Sequence, residues 1–173
     1  MPRPPRLHVP GGHYHVILRG NHRQVLFATA ADRHVLNGIC AEVIQRFSAR
    51  VHAFCWMSNH LHALVQIADR PLGPLMQRIA MRFSRHRHKA LRTSGHLFER
   101  RYKARLVDVD AYFLTLLRYI HLNPARAGDR LWHTVSAFME KRTSYSLLLA
   151  HEVPPEGGQT SFADTRSAYD DLP

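Results

Sequence analysis

The chain has 173 residues, of which 45% are hydrophobic and 21% charged, and this balance fits one globular domain with a buried core. No stretch approaches the ~18 consecutive apolar residues of a membrane span, and residues 1–6 have no apolar segment behind them, so we expect neither a membrane helix nor a signal peptide. The two cysteines, Cys40 and Cys55, are too few for a disulfide framework or a cysteine-ligated zinc site.

The charge is the most informative global property. Lys and Arg number 24 against 13 acidic residues, giving a formal net charge of +11. This excess favours a polyanionic partner, nucleic acid before membrane. Residues 70–105 hold eleven basic residues and one acid, Glu99, whereas residues 143–173 hold five acids and one basic residue, Arg166. The sparse cysteines suit a reducing cytoplasm, so we expect a cytoplasmic, nucleoid-associated protein.

The hydrophobic periodicity predicts seven elements in the order β-α-β-β-α-β-α. Strands are predicted at residues 12–19, 51–57, 60–67 and in the basic stretch ending at residue 107, and helices at residues 32–47, 75–90 and 111–123. Asp32 is predicted to cap the first helix and Asp108 or Asp110 the third, with Pro124 ending the third. The order indicates an α+β fold, a ferredoxin-like antiparallel sheet with helices packed on one face.

Residues 57–65, MSNHLHALV, contain two histidines at strand spacing. At the two-residue period of a strand, His60 and His62 lie on one face, and the apolar residues between and after them lie on the other. The pair is separated by about 6.6 Å along the strand, close enough for both imidazoles to bind one metal ion. The stretch alone fits two ordinary histidines equally well.

Basic side chains recur along the second predicted helix at i, i+4, i+7 and i+11, forming a basic ridge of Arg78, Arg82, Arg85 and Lys89. Like charges at this spacing repel within a helix, so the ridge costs stability unless a polyanion offsets it. A solvated helix face is the alternative, and we favour phosphate contact because no acid is interleaved. Four further candidate DNA contacts are predicted to join the ridge: Arg100, Arg101, Lys103 and Arg105.

Several separated blocks resemble the signature blocks of the single-tyrosine HUH transposases, and most closely the branch called REP-associated tyrosine transposases. They are WMSNHLHAL at residues 56–64, GHLF at residues 95–98 with Arg101 and Tyr102, and RYIHLNPARAG at residues 118–128. The strand and turn at residues 12–21 resemble the opening block, so the likeness covers about residues 10–130. After Gly128 it fades to Trp132 and a loose TSY at residues 143–145.

The resemblance implies a role for each motif. His60, His62 and Asn123 would bind a divalent metal, and Tyr119 would attack single-stranded DNA, giving a 5′-phosphotyrosyl intermediate and a free 3′-OH. Two imidazoles and an amide oxygen suit Mg²⁺ or Mn²⁺ with positions left open for phosphate. Tyr14, Tyr102 and Tyr112 are alternative nucleophiles on chemistry alone. The early turn adds three possible DNA contacts: Arg19, Asn21 and Arg23.

The predicted function is metal-dependent cleavage and strand transfer of hairpin or palindromic DNA by a tyrosine DNA transposase, as a monomer or a homodimer. A domesticated single-stranded DNA-binding protein with a weak or dormant site is the alternative, and a metallohydrolase is a third reading that is short of ligands. The catalytic domain is predicted over residues 1–135. Residues 136–173 are predicted to be a partly disordered acidic extension.

Overall fold

The computed structural model describes residues 8–109 and 112–126, so the predicted extension at residues 136–173 lies outside the described residues. The strands are β1 (His13–Arg19), β2 (Arg50–Met57), β3 (His60–Gln66) and β4 (Lys103–Leu106), and the helices are α1 (Ala30–Arg46), α2 (Leu72–Leu91) and α3 (Phe113–Arg126). The strands form one antiparallel sheet in the order β2-β3-β1-β4. The α+β class and the predicted order of elements are confirmed. In the part of the chain that is described, no helix combines the length and apolar character needed to cross a membrane.

The helices lie on both faces of the sheet, which differs from the expected packing on one face. One core places α1 and α2 against the strand face that carries Val16, Leu61 and Val65. A second core places α3 against the opposite face, which carries Cys55 and Leu64. The physical reason lies in β2 and β3, which are buried at consecutive positions and therefore need apolar cover on both faces. We call these the α1/α2 face and the α3 face.

The register of β3 places the histidine pair. β3 pairs with β1 so that Arg19 lies opposite His60, and His15 lies opposite Leu64. Residues directly opposite each other in an antiparallel pair project to the same face. The alternation predicted for the histidine pair is confirmed, because His62 shares the α3 face with Leu64 while Leu61 and Ala63 belong to the α1/α2 core.

The first two helices begin before their predicted starts. Thr29 is the N-cap of α1, and Asp32 completes a capping box from the third helical position. Asp32 was therefore predicted correctly as a residue that caps α1, but it acts from the third helical position and Thr29 is the N-cap. α2 begins at Leu72. Pro74 falls in its first turn, where a missing N–H breaks no intrahelical bond, so the proline does not prevent the earlier start.

The third helix continues past its predicted end. α3 runs through Pro124 to Arg126, so the proline does not end it as expected. At the other end, the backbone carbonyl of Asp108 accepts a hydrogen bond from the Tyr112 N–H. Asp110, the alternative cap, lies outside the described residues.

Two arginine–carboxylate ion pairs join α1 to α2, and His86 Nε2 of α2 also lies 3.5 Å from Asp32 Oδ1. Arg87 Nη1 lies 2.6 Å from Asp32 Oδ1, with the two side chains 5% and 6% exposed. Arg82 Nη1 lies 2.6 Å from Glu42 Oε2, with exposures of 36% and 66%. Burial acts to raise the pKa of Asp32, but hydrogen bonds from Thr29 and Arg87 outweigh it and hold this pKa below its ordinary value. The two helices are thus tied to each other by one buried and one exposed pair.

Candidate active site on the α3 face

β3 and α3 bring the two motif histidines and the helix tyrosine together. The ring centroids of His60 and His62 are 5.0 Å apart. The Tyr119 ring stands edge-on to His62, with 5.8 Å between centroids. His62 is buried, while His60 and Tyr119 are half-buried. The three side chains form one polar cluster on the α3 face.

His15 belongs to the same cluster, which the sequence analysis did not foresee. Its Nε2 lies 3.0 Å from His62 Nδ1, and its ring stacks on His62 with 5.2 Å between centroids. Its centroid is 6.4 Å from that of Tyr119. α3 covers this face and leaves His15 5% exposed. The available signal was a histidine in a strand whose partner carries the H-x-H pair.

Burial keeps the imidazoles neutral. It lowers the pKa of His62 to about 3, helped by the charges of His15, His60 and Arg19. It lowers the pKa of His15 to about 4, with a further contribution from Arg105. The pKa of His60 is lowered by burial and by Arg19. At neutral pH the cluster therefore presents uncharged imidazoles, the form that binds metal ions.

Asn123 lies one helical turn beyond Tyr119, so the two side chains share a face of α3. Its Nδ2 atom is buried and has no hydrogen-bond partner among the described residues. Turning the amide by half a rotation would put its oxygen at this position. Among those same residues, no three His, Cys, Asp or Glu side chains are arranged to hold a metal ion. A metal at His60 and His62 would need a ligand of another type, and the Asn123 amide fits that requirement.

Three cations border the histidine cluster. In the β1–β4 register Lys103 lies opposite Ile17, and Arg105 lies opposite His15, so both project to the α3 face. Arg19 lies opposite His60 at the end of β1. All three are exposed, and we call them the site-face cations: Arg19, Lys103 and Arg105. The prediction that Lys103 and Arg105 join the basic ridge is wrong, because β4 turns them to the other side of the sheet.

The basic ridge lies across the sheet from the cluster, since α2 packs on the α1/α2 face. Arg78, Arg85 and Lys89 are exposed and, within the described part of the chain, form no ion pair. Arg82 is half-buried and pairs with Glu42. No acid is interleaved along α2, as expected, but Glu42 of the neighbouring helix α1 neutralises one position of the ridge.

The remaining predicted DNA contacts are dispersed. Arg100 is exposed and lies 3.9 Å from Glu99, and Arg101 is exposed in the same loop. Asn21 and Arg23 form a short 3₁₀ turn after β1, in which Arg23 is exposed and Asn21 half-buried. None of these four is placed against the histidine cluster by the contacts described here.

Two of the alternative tyrosines are separated from the histidines by the sheet. Tyr14 and Tyr102 are buried in the α1/α2 core. Tyr112 packs against the α3 core, as Tyr119 does. Tyr119 has ring contacts with both His15 and His62.

Comparisons with known proteins divide the chain into two overlapping parts. The family model described as "Transposase IS200 like" matches residues 8–123. A second family model, the taurine catabolism dioxygenase TauD, TfdA family, matches residues 76–173. The shared residues 76–123 form most of α2, all of β4 and most of α3. The residues that both models match therefore belong to the antiparallel sheet and to the helices packed on it.

A solved structure of a REP-associated tyrosine transposase bound to a REP hairpin has a similar fold. The TM-score is 0.61 at 16% sequence identity, and the match covers 75% of this chain and 76% of that chain. At this identity the likeness shows the fold alone. The family match by itself confirms that the signature blocks belong to an IS200-like transposase.

Curated dioxygenases match a short segment. The α-ketoglutarate-dependent 2,4-dichlorophenoxyacetate dioxygenase of Burkholderia sp. is 51% identical over 46 residues, which cover 27% of this chain and 16% of that enzyme. The (S)-phenoxypropionate/α-ketoglutarate-dioxygenase of Sphingobium herbicidovorans is 44% identical over 45 residues, covering 26% and 16%. The chain spans 16% of the length of these relatives, so the likeness concerns a fragment of a dioxygenase.

Proposed function

Because the chain belongs to the IS200-like transposase family, we propose that it cuts and rejoins single-stranded DNA with Tyr119 as the nucleophile. Family membership itself gives a DNA-processing protein that acts in transposition. The observation that carries the finer proposal is the contact between Tyr119 on α3 and His62 on β3, with 5.8 Å between ring centroids. A tyrosine and a histidine pair that are far apart in sequence meet on one sheet face.

In the proposed reaction, Tyr119 Oη attacks the phosphorus of a phosphodiester. A new P–O bond joins the DNA 5′-phosphate to the tyrosine, the bond to the 3′ oxygen breaks, and that oxygen leaves as a 3′-OH after taking up a proton. The phosphotyrosyl ester retains the energy of the broken bond, so a 3′-OH can attack it and transfer the strand without ATP. An ordinary phenol, with a pKa of about 10, is a weak nucleophile at neutral pH, so the site must stabilise charge on the phosphate.

The chain offers two kinds of group that would stabilise negative charge on the phosphate. His60, His62 and Asn123 would hold a divalent cation, with Mg²⁺ or Mn²⁺ fitting two neutral imidazoles and an amide oxygen. Such an ion, when bound, supplies a Lewis acid for phosphate oxygens. The site-face cations add fixed positive charge on the same side of the sheet, where they would neutralise phosphates flanking the bond that is cut.

We propose hairpin or palindromic single strands as the substrate. The relative of known structure is bound to a REP hairpin, and the basic ridge supports a substrate with more phosphates than those at the cleaved bond. The competing function is DNA binding by a dormant site. It predicts the same contacts with DNA but no covalent chemistry at Tyr119.

The domain boundary proposed here is residue 135, with the transposase domain before it and an extension over residues 136–173. The dioxygenase match, which runs to residue 173, supports an origin of the extension outside the transposase. Because that match covers 16% of the curated enzymes, no dioxygenase activity is proposed. A protein that processes DNA in this way would work in the cytoplasm beside the nucleoid.

The deciding experiment is a denaturing gel of the protein incubated with hairpin DNA carrying a single-stranded flank, in Mg²⁺ or Mn²⁺. Wild type and Tyr112→Phe should give a covalent protein–DNA band, and Tyr119→Phe should give none while still binding the DNA. Tyr112 is the matched control because it is a half-buried tyrosine packed against the same core. An adduct formed by Tyr119→Phe would refute the nucleophile, and wild type that binds DNA without any adduct would favour the dormant site.

A further inference from the structure

We propose that His15 and Asn59 are positioning residues, which fix the tautomers of His62 and His60 so that both present an Nε2 lone pair to the metal. This inference rests on the proposed function, because it takes the two motif imidazoles as metal ligands. It goes beyond that function by assigning roles to two side chains outside the ligand set. One of them, His15, comes from a different strand.

Asn59 sets the simpler case. Its Oδ1 lies 2.7 Å from His60 Nδ1. An amide oxygen only accepts hydrogen bonds, so with the Asn59 amide in this orientation His60 carries its proton on Nδ1. The neutral ring then has its lone pair on Nε2. The bond is local, since Asn59 is the turn residue directly before His60, the first residue of β3.

The contact between His15 and His62 has two possible directions. If His62 Nδ1–H donates to His15 Nε2, the lone pair of His62 is on its Nε2 and is free for a metal. If His15 Nε2–H donates instead, His62 carries its proton on Nε2 and cannot bind a metal through that atom. Only the first direction is compatible with metal binding, since Nδ1 is engaged in both. His15 therefore acts as an acceptor, which is the role that carboxylates and carbonyls play beside most metal-bound histidines.

The surroundings hold His15 in this position. It lies in the middle of β1, which pairs with β3 along the whole strand. It is 5% exposed, and its ring is stacked on His62 with 20° between the planes. Because the pair is buried, water is poorly placed to replace a lost acceptor. Removing the acceptor would leave the His62 Nδ1–H unpaired and free the proton to move to Nε2.

The test uses two variants of His15 and a matched control. His15→Phe keeps a planar ring and removes the acceptor, whereas His15→Gln restores an acceptor oxygen at a similar reach. The control is His13→Phe, which changes a histidine on the same face of β1 that contacts His52 and Phe113 instead of the cluster. Two quantities are measured on the full chain without DNA. They are the His62 tautomer in the metal-free protein, by ¹⁵N NMR, and the Kd for Mn²⁺, by electron paramagnetic resonance.

Wild type and His13→Phe should show the Nδ1–H tautomer of His62 and the same Kd for Mn²⁺. His15→Phe should mix the tautomers and weaken Mn²⁺ binding about 10- to 100-fold, the usual cost of losing such a partner. His15→Gln should recover the affinity to within a few-fold. Asn59→Ala should weaken binding by less than His15→Phe, because water can reach the half-buried His60. This variant also keeps the positioning role testable if His15→Phe does not fold.

The outcomes separate this inference from the proposed function. Wild type that binds no Mn²⁺ would refute the metal site and the inference together. Wild-type binding with an unchanged Kd in His15→Phe would refute the positioning role alone. A folded His15→Gln variant as weak as His15→Phe would also refute it, because the acceptor would then be irrelevant.

Discussion

The two ion pairs between α1 and α2 should contribute very differently to stability, although both have an N–O distance of 2.6 Å. Asp32→Ala removes one partner of the buried pair and leaves the Arg87 guanidinium, 5% exposed, without its carboxylate. Removing one partner of a buried pair typically costs about 3–5 kcal/mol, because the remaining charge is desolvated and unpaired. Glu42→Ala acts on an exposed pair that water already screens, so its effect should be within measurement error.

Asp32 has a second role that adds to this cost. Its Oδ2 accepts hydrogen bonds from the backbone N–H groups of Ala28 and Thr29 at the start of α1. Loss of a helix cap costs about 1 kcal/mol, so Asp32→Ala should lower the free energy of unfolding by about 4–6 kcal/mol in all. Asp32→Asn separates the two contributions, because the amide keeps an acceptor for the cap and loses the charge.

Urea unfolding at pH 7, followed by circular dichroism, measures both variants. Asp32→Ala should unfold at much lower urea than wild type, Asp32→Asn at an intermediate concentration, and Glu42→Ala with wild type. Since the folded pKa of Asp32 lies below its ordinary value of 3.8, its contribution is present above that pH and is lost as the pH falls through the folded pKa. The difference between wild type and Asp32→Ala should therefore shrink below about pH 3.8. Equal midpoints for Asp32→Ala and Glu42→Ala at pH 7 would refute the reasoning.

Two further predictions concern the site and the domain boundary. His60→Ala and His62→Ala should each abolish the covalent DNA band while the variants remain folded, and excess EDTA should abolish the band in wild type. Full activity in any of these would remove the metal from the proposal. A chain ending at residue 135 should keep both the urea midpoint of wild type and its rate of adduct formation, and a loss of either would show that residues 136–173 belong to the transposase domain.

The sequence predicted best what depends on neighbouring residues. The two-residue alternation of β3 placed His60 and His62 on one face without knowledge of any partner strand, and the structure confirms it. The signature blocks also led to the correct family. The fading of that likeness after Gly128 agrees with a family match that ends at residue 123 and with a dioxygenase match that continues to residue 173.

What the sequence could not give depends on pairing between distant strands. The role of His15 is visible only once β1 lies beside β3 and α3 covers both, because on its own strand His15 looks like any exposed alternating residue. The division of the basic residues has the same origin. Lys103 and Arg105 are close in sequence to the ridge on α2, yet the β1–β4 register turns them to the opposite face.

That division separates two functions of the positive charge, and the separation can be measured. The ridge residues Arg78 and Arg85 lie across the sheet from Tyr119. In the proposed reaction they would hold DNA without touching the bond that is cut. Arg78→Ala with Arg85→Ala should weaken hairpin binding and lower the slope of log Kd against log salt by about two phosphate contacts, with an unchanged cleavage rate at saturating DNA. Arg105→Ala, on the face of the histidines, should slow cleavage at saturating DNA as well, since its charge lies beside the cluster. An unchanged salt slope in the double variant would show that the ridge is a solvated helix face without phosphate contacts. Equal cleavage rates in all variants would show that cations on the two faces of the sheet do not differ in their effect on cleavage.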